Sequence, residues 1–211
     1  MPLTFLRESL RDFKTTGAVA PSSPFLARAM AHCLPPAREL PGDLRVLEVG
    51  PGTGAFTRAL AQRMNGRGRL DLYEISPNFV EHLKEKIARQ KGFASMRERI
   101  RVIRGDVREL PAKPVYDRIV SGLPLNNFTP GEVQGFLEHF RALLKPDGTL
   151  AYFEYLAIRE LQTPFRRKQE RERLRGIRDV VQAFQKRYQV KARVVPLNVP
   201  PAVVRYLKFD A

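Results

Sequence analysis

The sequence predicts an α/β fold: one open, mostly parallel sheet of seven strands with helices packed on its faces. Three observations predict it. Short apolar, β-rich runs alternate with helical periods between residues 44 and 156. The first run leads through Gly50-Pro51-Gly52-Thr53-Gly54 straight into a helical pattern, as a strand–turn–helix unit does. The last two β-rich runs, 190–197 and 202–209, are joined only by Asn198-Val199-Pro200-Pro201. That connection is too short for a crossover helix, so the pair is antiparallel.

From the N-terminus, residues 1–16 read as an amphipathic helix ahead of a single domain over 17–211. Leu3, Leu6, Leu10 and Phe13 share one face, with Arg7, Arg11 and Lys14 beside it, and Gly17 ends the helix. Such a helix suits the headgroup region of an anionic bilayer. Two serines and two prolines over 21–24 cap a second helix running to about Cys33, with Phe25, Leu26, Ala29 and Met30 inward. Strand one is Leu44 to Val49, followed by a helix over 55–64. Strand two, Leu70-Asp71-Leu72-Tyr73, is closed by Glu74, and Ser76-Pro77 opens a helix to about Lys91 with Phe79, Leu83 and Ile87 on one face. Strand three, 100–105, ends at Asp106. Strand four is 118–121, a helix spans 130–144, and Lys145-Pro146-Asp147-Gly148 turns into strand five, 149–156.

Composition bounds the partners. The chain has 211 residues, 43% of them hydrophobic, which is enough for one full core. Its formal net charge of +15 calls for an anionic partner: nucleic acid, acidic substrate or membrane surface. The single cysteine, Cys33, excludes an internal disulfide and suits a reducing compartment. No apolar run approaches a bilayer span, and no secretory h-region opens the chain. His32, His82 and His139 have no Cys/His/Asp cluster around them, so no metal site is expected.

The glycine turn carries the chemistry. Gly50, Gly52 and Gly54 let the backbone approach a ligand, and the following helix N-terminus favours an anionic group. Their every-second-position spacing differs from the dinucleotide fingerprint. Glu48 stands two residues before the first glycine, and Glu74 ends the next strand 20 residues after Gly54, where a carboxylate suits a ribose diol. Asp106 ends the third strand. This set resembles the S-adenosylmethionine-dependent methyltransferases of the Rossmann-like class I. The resemblance implies that the glycine loop lies against the methionine part of the cofactor, Glu74 binds the ribose, and Asp106 contacts the adenine. Ile75, Gly105, Val107 and Ser121, beside those positions, would also contact the cofactor. Ser22 and Ser23 would meet the methionine carboxylate, and S-adenosylhomocysteine would be the product.

The reaction-specific stretch is Ser121-Gly122-Leu123-Pro124-Leu125-Asn126-Asn127-Phe128, at the carboxyl edge where open α/β sheets bind ligands. Nitrogen methyltransferases of nucleic acid often carry Asn or Asp, any residue, Pro and an aromatic here, the aromatic stacking on the flipped base. Gly122 and Leu125 stand in place of the polar residue and the aromatic, so an rRNA adenine N6-dimethyltransferase or other RNA methyltransferase is the second reading, and nucleic acid is not the expected partner. The Ser121-to-Leu125 run and the Gly17-to-Ser23 run instead resemble the bacterial phospholipid N-methyltransferases. That family converts phosphatidylethanolamine stepwise to phosphatidylcholine. The resemblance implies a phospholipid substrate and a peripheral enzyme on the inner face of the cytoplasmic membrane, with no stable protein partner.

The residue chemistry agrees with an amine substrate. Carbonyls near Gly122 and Leu123, or the Ser121 hydroxyl, suit an ethanolamine nitrogen. Tyr152 and Tyr155 offer an aromatic face to the growing cation and a hydroxyl for proton relay, although strand alternation puts them on opposite faces. Leu125 and Asn126 would line the substrate. A basic run over 158–175 supplies Arg159, Arg166 and Arg167 for the phosphodiester, with Arg205 as a further candidate.

Overall fold

The computed structural model describes residues 22–156 and 168–209. The expected helix over 1–16, the loop up to residue 21, and Arg159, Arg166 and Arg167 lie outside the described residues. Seven strands form one sheet: β1 (Arg45–Val49), β2 (Arg69–Glu74), β3 (Ile100–Arg104), β4 (Tyr116–Ser121), β5 (Leu144–Tyr155), β6 (Gln189–Val195) and β7 (Ala202–Lys208). Their order is β3-β2-β1-β4-β5-β7-β6. β1 pairs in parallel with β2 and β4, β2 with β3, and β4 with β5. β7 runs antiparallel to both β5 and β6, so it alone opposes the other six.

Among the described residues five helices cover the sheet: α1 (Pro24–Ala31), α2 (Ala55–Met64), α3 (Pro77–Arg89), α4 (Pro130–Leu143) and α5 (Lys168–Tyr188). Alternation along the strands sorts the core into two layers. Val46, Leu72, Val120 and Ala151 pack with α1, α2 and α3, while Leu47, Ile119, Leu150 and Leu207 pack with α4 and α5. Local chemistry sets the helix starts. Thr129 and Glu132 form a reciprocal cap at α4, with Pro130 in the first turn. Ser23 caps α1, its hydroxyl accepting from Leu26 N at 3.2 Å.

Two local expectations are corrected. Phe25 is 47% exposed rather than inward. Its spacing places it over Ala29, but the first turn of α1 overhangs the sheet edge at the β6–β7 connection, where Ser23 N donates to Asn198 Oδ1 at 3.0 Å. Strand five begins at Leu144, not at residue 149. Leu144 pairs with Tyr116, Asp147 takes a positive φ of 64°, and pairing resumes at Thr149 opposite Arg118. The Lys-Pro-Asp-Gly turn is thus an irregularity inside the strand.

Candidate active site

The carboxyl ends of β1, β2 and β4 converge on the glycine loop. Gly50, Gly52 and Gly54 have φ of 67°, 53° and 78°. That left-handed backbone favours glycine. Gly54 is additionally confined, because a Cβ there would lie 2.8 Å from Leu83 Cδ2. Around Gly52 the same direction is open, with nothing within 4 Å. Gly50 N donates to Tyr73 O at 2.9 Å and Gly122 N to Val49 O at 2.8 Å, so the loop is fixed from both neighbouring strands.

Three carboxylates surround it. Glu48 is fully buried beneath the first turn of α2, and neither carboxylate oxygen has a hydrogen-bond partner among the described residues. Burial pushes its carboxyl up to about 8; the Thr57 hydroxyl and amide, which approach without completing a hydrogen bond, oppose that rise. Glu74 accepts from Gly52 N at 3.0 Å and Ser76 N at 2.9 Å. Burial raises its affinity for a proton, against those amides and that of Ile75. Gly105 N donates to Glu74 O at 3.1 Å. Burial works to raise the Asp106 carboxyl too, but the Arg108 guanidinium and amide outweigh it and hold it below its usual range. Val107, next to it, is buried, and its carbonyl meets His139 Nε2 at 2.9 Å.

The segment after β4 explains its own sequence. A Cβ on Gly122 would lie 2.5 Å from Gly50 O, so no side chain fits there. Ser121 is buried level with Val49 and Tyr152, and its hydroxyl accepts from Leu123 N at 3.4 Å. Leu125, expected to line the substrate, is 7% exposed and belongs to the core with Phe128 and Phe136. Asn126 remains half-buried at the surface of the turn.

The two tyrosines separate. Tyr152, expected at the reacting amine, is buried on the α5 face, where Gln185 Nε2 donates to its hydroxyl at 2.9 Å and its hydroxyl donates to Glu154 at 3.3 Å. Arg205, expected at a phosphate, joins the same polar cluster, 3.8 Å from Glu154 and 3.2 Å from Gln189 Oε1. Both side chains are thus held in a polar cluster between β5, β7 and α5. Tyr155 points to the opposite layer, its ring edge-on to Phe153 at 5.2 Å, which in turn meets Phe56 of α2 at 5.6 Å. Burial raises the Tyr155 phenol above its ordinary value, so it keeps its proton at neutral pH. Ser23 lies at this same edge, since α1 begins beside Asn198 while Leu34 O, just past its end, accepts from Arg63 Nε at 2.6 Å at the far end of α2.

Sequence reasoning missed Arg173. Within the basic run it looked like its neighbours. In the fold its Nη1 donates to the carbonyls of Asn126, at 2.8 Å, and Phe128, while Nε and Nη2 pair with Glu170. It clamps the segment after β4 onto α5, where Gly176 passes so close to Pro130 that a Cβ would lie 2.7 Å from Pro130 Cγ. Arg173→Ala should lower kcat/KM about tenfold with a small loss of thermal stability, because charge-assisted bonds to two carbonyls contribute roughly 1.5–3 kcal/mol. Arg173→Lys, keeping one donor direction, should restore part of it. Steady-state kinetics on both variants checks this, and an unchanged kcat/KM in Arg173→Ala would show that the clamp does not position the site.

A family model described as a methyltransferase domain matches residues 46–148. Over 152 residues the chain is 32% identical to the ornithine lipid N-methyltransferase of Singulisphaera acidiphila, covering 69% of this chain and 73% of that protein. The chain belongs to the class I S-adenosylmethionine-dependent methyltransferases. The methyltransferase is also 40% identical over 83 residues to a tRNA1(Val) (adenine(37)-N6)-methyltransferase of Tolumonas auensis, covering 39% of this chain and 33% of that one. Its fold resembles that of the Bacillus cereus O-methyltransferase solved with S-adenosylhomocysteine, with a TM-score of 0.65, 16% identity, and coverage of 98% of this chain and 91% of that one. The residues present fit that cofactor. The open side of Gly52 leaves room for it, and the orphaned Glu48 carboxyl would become a counter-charge to an ammonium on losing its proton. Among the described residues no group of His, Cys, Asp and Glu could hold a metal ion, and no helix is long and apolar enough to cross a membrane.

Proposed function

We propose that the methyltransferase transfers methyl groups to the amine of phosphatidylethanolamine and its mono- and dimethylated forms, giving phosphatidylcholine, as a peripheral membrane enzyme. One observation carries the reading. The backbone of Gly50 bars any side chain at position 122, and Leu125 and Phe128 are turned into the core. The segment after β4 therefore offers no side-chain acceptor at position 122 and no exposed aromatic at 125 or 128 to a planar base. It offers backbone and an adjoining apolar wall, which suit a small aliphatic amine. The lipid amine named for the Singulisphaera relative supports the same class.

S-adenosylmethionine, when bound, supplies the sulfonium methyl. The substrate ammonium would release its proton to solvent before its nitrogen could accept the methyl, and the part of this chain is to hold the resulting amine in line. In this reading the Ser121 hydroxyl and nearby carbonyls orient the amine, and the Tyr155 ring faces the cation that grows with each methyl. The protonated phenol serves as a hydrogen-bond donor and ring, not as an anionic base.

Incubation with labelled S-adenosylmethionine, mixed lipids and rRNA, followed by chromatographic separation, tests this. Label is expected in mono-, di- and trimethylated ethanolamine lipid. Label confined to ornithine lipid would replace the substrate, and label confined to RNA would overturn the reading in favour of adenine methylation.

A further inference from the structure

Exposed apolar side chains are ordinary when scattered singly. Here they gather. Of the six large exposed hydrophobic residues among those described, Phe25, Leu156, Leu197 and Val199 converge on the β6–β7 connection. Two hydrogen bonds tie them together: Ser23 N to Asn198 Oδ1 at 3.0 Å, and Leu156 N to Pro201 O at 2.8 Å. Asn198 is itself 3% exposed and donates to Pro200 O at 2.7 Å, so the connection is anchored from within while Leu197 (63%) and Val199 (82%) point outward on either side. Ala202, which follows, pairs with Tyr155 at the end of β5. The apolar tip thus stands at the carboxyl edge of the sheet, the edge that carries the glycine loop.

Cations stand beside the tip on β6 and α1. Lys191 and Arg193 on β6 face α1, close enough to depress the His32 imidazolium after burial has done so. Arg28 lies over the Phe25 ring at 6.0 Å. An apolar tip collared by cations matches the bilayer interface, where side chains reach the acyl boundary and arginine and lysine meet phosphates.

We propose that the β6–β7 connection is a bilayer-docking tip, with Leu197 and Val199 entering an anionic lipid surface and Phe25 and Leu156 flanking them. This rests on the lipid reading above for its partner. Docking through this tip brings the carboxyl edge of the sheet to the headgroup layer, so the substrate amine reaches the segment after β4 without leaving the membrane.

The full-length protein is tested on vesicles of phosphatidylglycerol and phosphatidylcholine, which contain no methyl acceptor, so binding is read independently of any transfer reaction. Val199→Cys is labelled with a polarity-sensitive fluorophore. The native Cys33 does not compete, being 8% exposed with its thiol pushed up to about 12 by burial. The label at 199 should shift to the blue on vesicle addition and be quenched by lipid-borne quenchers, while the same label at exposed Glu138 on α4 should not respond. Leu197→Asp/Val199→Asp should weaken partitioning about tenfold with unchanged melting temperature and S-adenosylhomocysteine affinity. Absence of a shift at 199, equal shifts at 199 and 138, or wild-type partitioning of the double variant overturns the proposal. So does loss of RNA binding or of self-association through β6 in place of lipid binding.

Discussion

Gly122→Ala is expected to weaken S-adenosylhomocysteine binding about 100-fold while the protein still folds. The added methyl would sit 2.5 Å from Gly50 O, a backbone atom that cannot rotate away. Gly50 is held at φ 67° with its N–H on Tyr73 O, and Gly122 N is bonded to Val49 O, so the strain has no flexible outlet. It is relieved by moving the glycine loop relative to β4; a displacement of about 1 Å costs on the order of 100-fold in rate where reacting groups are aligned, and the same displacement of the loop should cost binding a similar factor. The two cores lie away from this contact, so the melting temperature should fall only modestly. Calorimetric titration and thermal unfolding on the same preparation check it. Wild-type affinity would show that the loop absorbs the methyl, and that glycine at 122 carries no information about the substrate. Gly122→Asn belongs in the same series: it should lose affinity at least as strongly and gain no activity on adenine.

The frame of the fold was legible because local patterns decide it. Apolar runs of strand length, a glycine turn and helix caps are each written within a dozen residues, and the short 198–201 connection dictated the antiparallel pair. Glu48, Glu74 and Asp106 were legible for the same reason, since each ends or nearly ends its own strand. What the sequence hid depends on which layer an element packs against. Alternation said that Tyr152 and Tyr155 diverge, but not that α5 would cover Tyr152. Leu125 read as a pocket residue because the fold of its turn, drawn inward with Phe128, is set by α4. Arg173 is 47 residues from the carbonyl of Asn126 that it binds, and no local signal separates it from the arginines around it. Gly122 was noticed as a missing side chain, whereas its cause is the distant Gly50 carbonyl.

Glu48→Gln should remove the pH dependence of cofactor affinity and much of that affinity with it. The folded carboxyl holds its proton to about pH 8, against 4.5 for an unperturbed glutamate, because burial penalises its charge. The sign for stability follows. Between those values the folded state keeps a proton that the unfolded chain has released, so stability of the free protein falls as pH rises through the window, by a few kcal/mol in all. The Gln variant stays neutral and should not show that component of the fall. For binding the sign reverses. If the ammonium of the amino-acid end of the cofactor pairs with the Glu48 carboxylate, binding expels the proton, and affinity should climb about tenfold per pH unit up to pH 8 before levelling. Titration of S-adenosylhomocysteine from about pH 6 to pH 9, in two buffers of different ionisation enthalpy, reads both the affinity and the released proton. The wild type should gain on the order of 100-fold between about pH 6 and pH 8, and Glu48→Gln should bind weakly with a flat profile. A flat wild-type profile with no proton released would mean that Glu48 stays protonated beneath the loop. Its part would then be to support the first turn of α2 near Thr57.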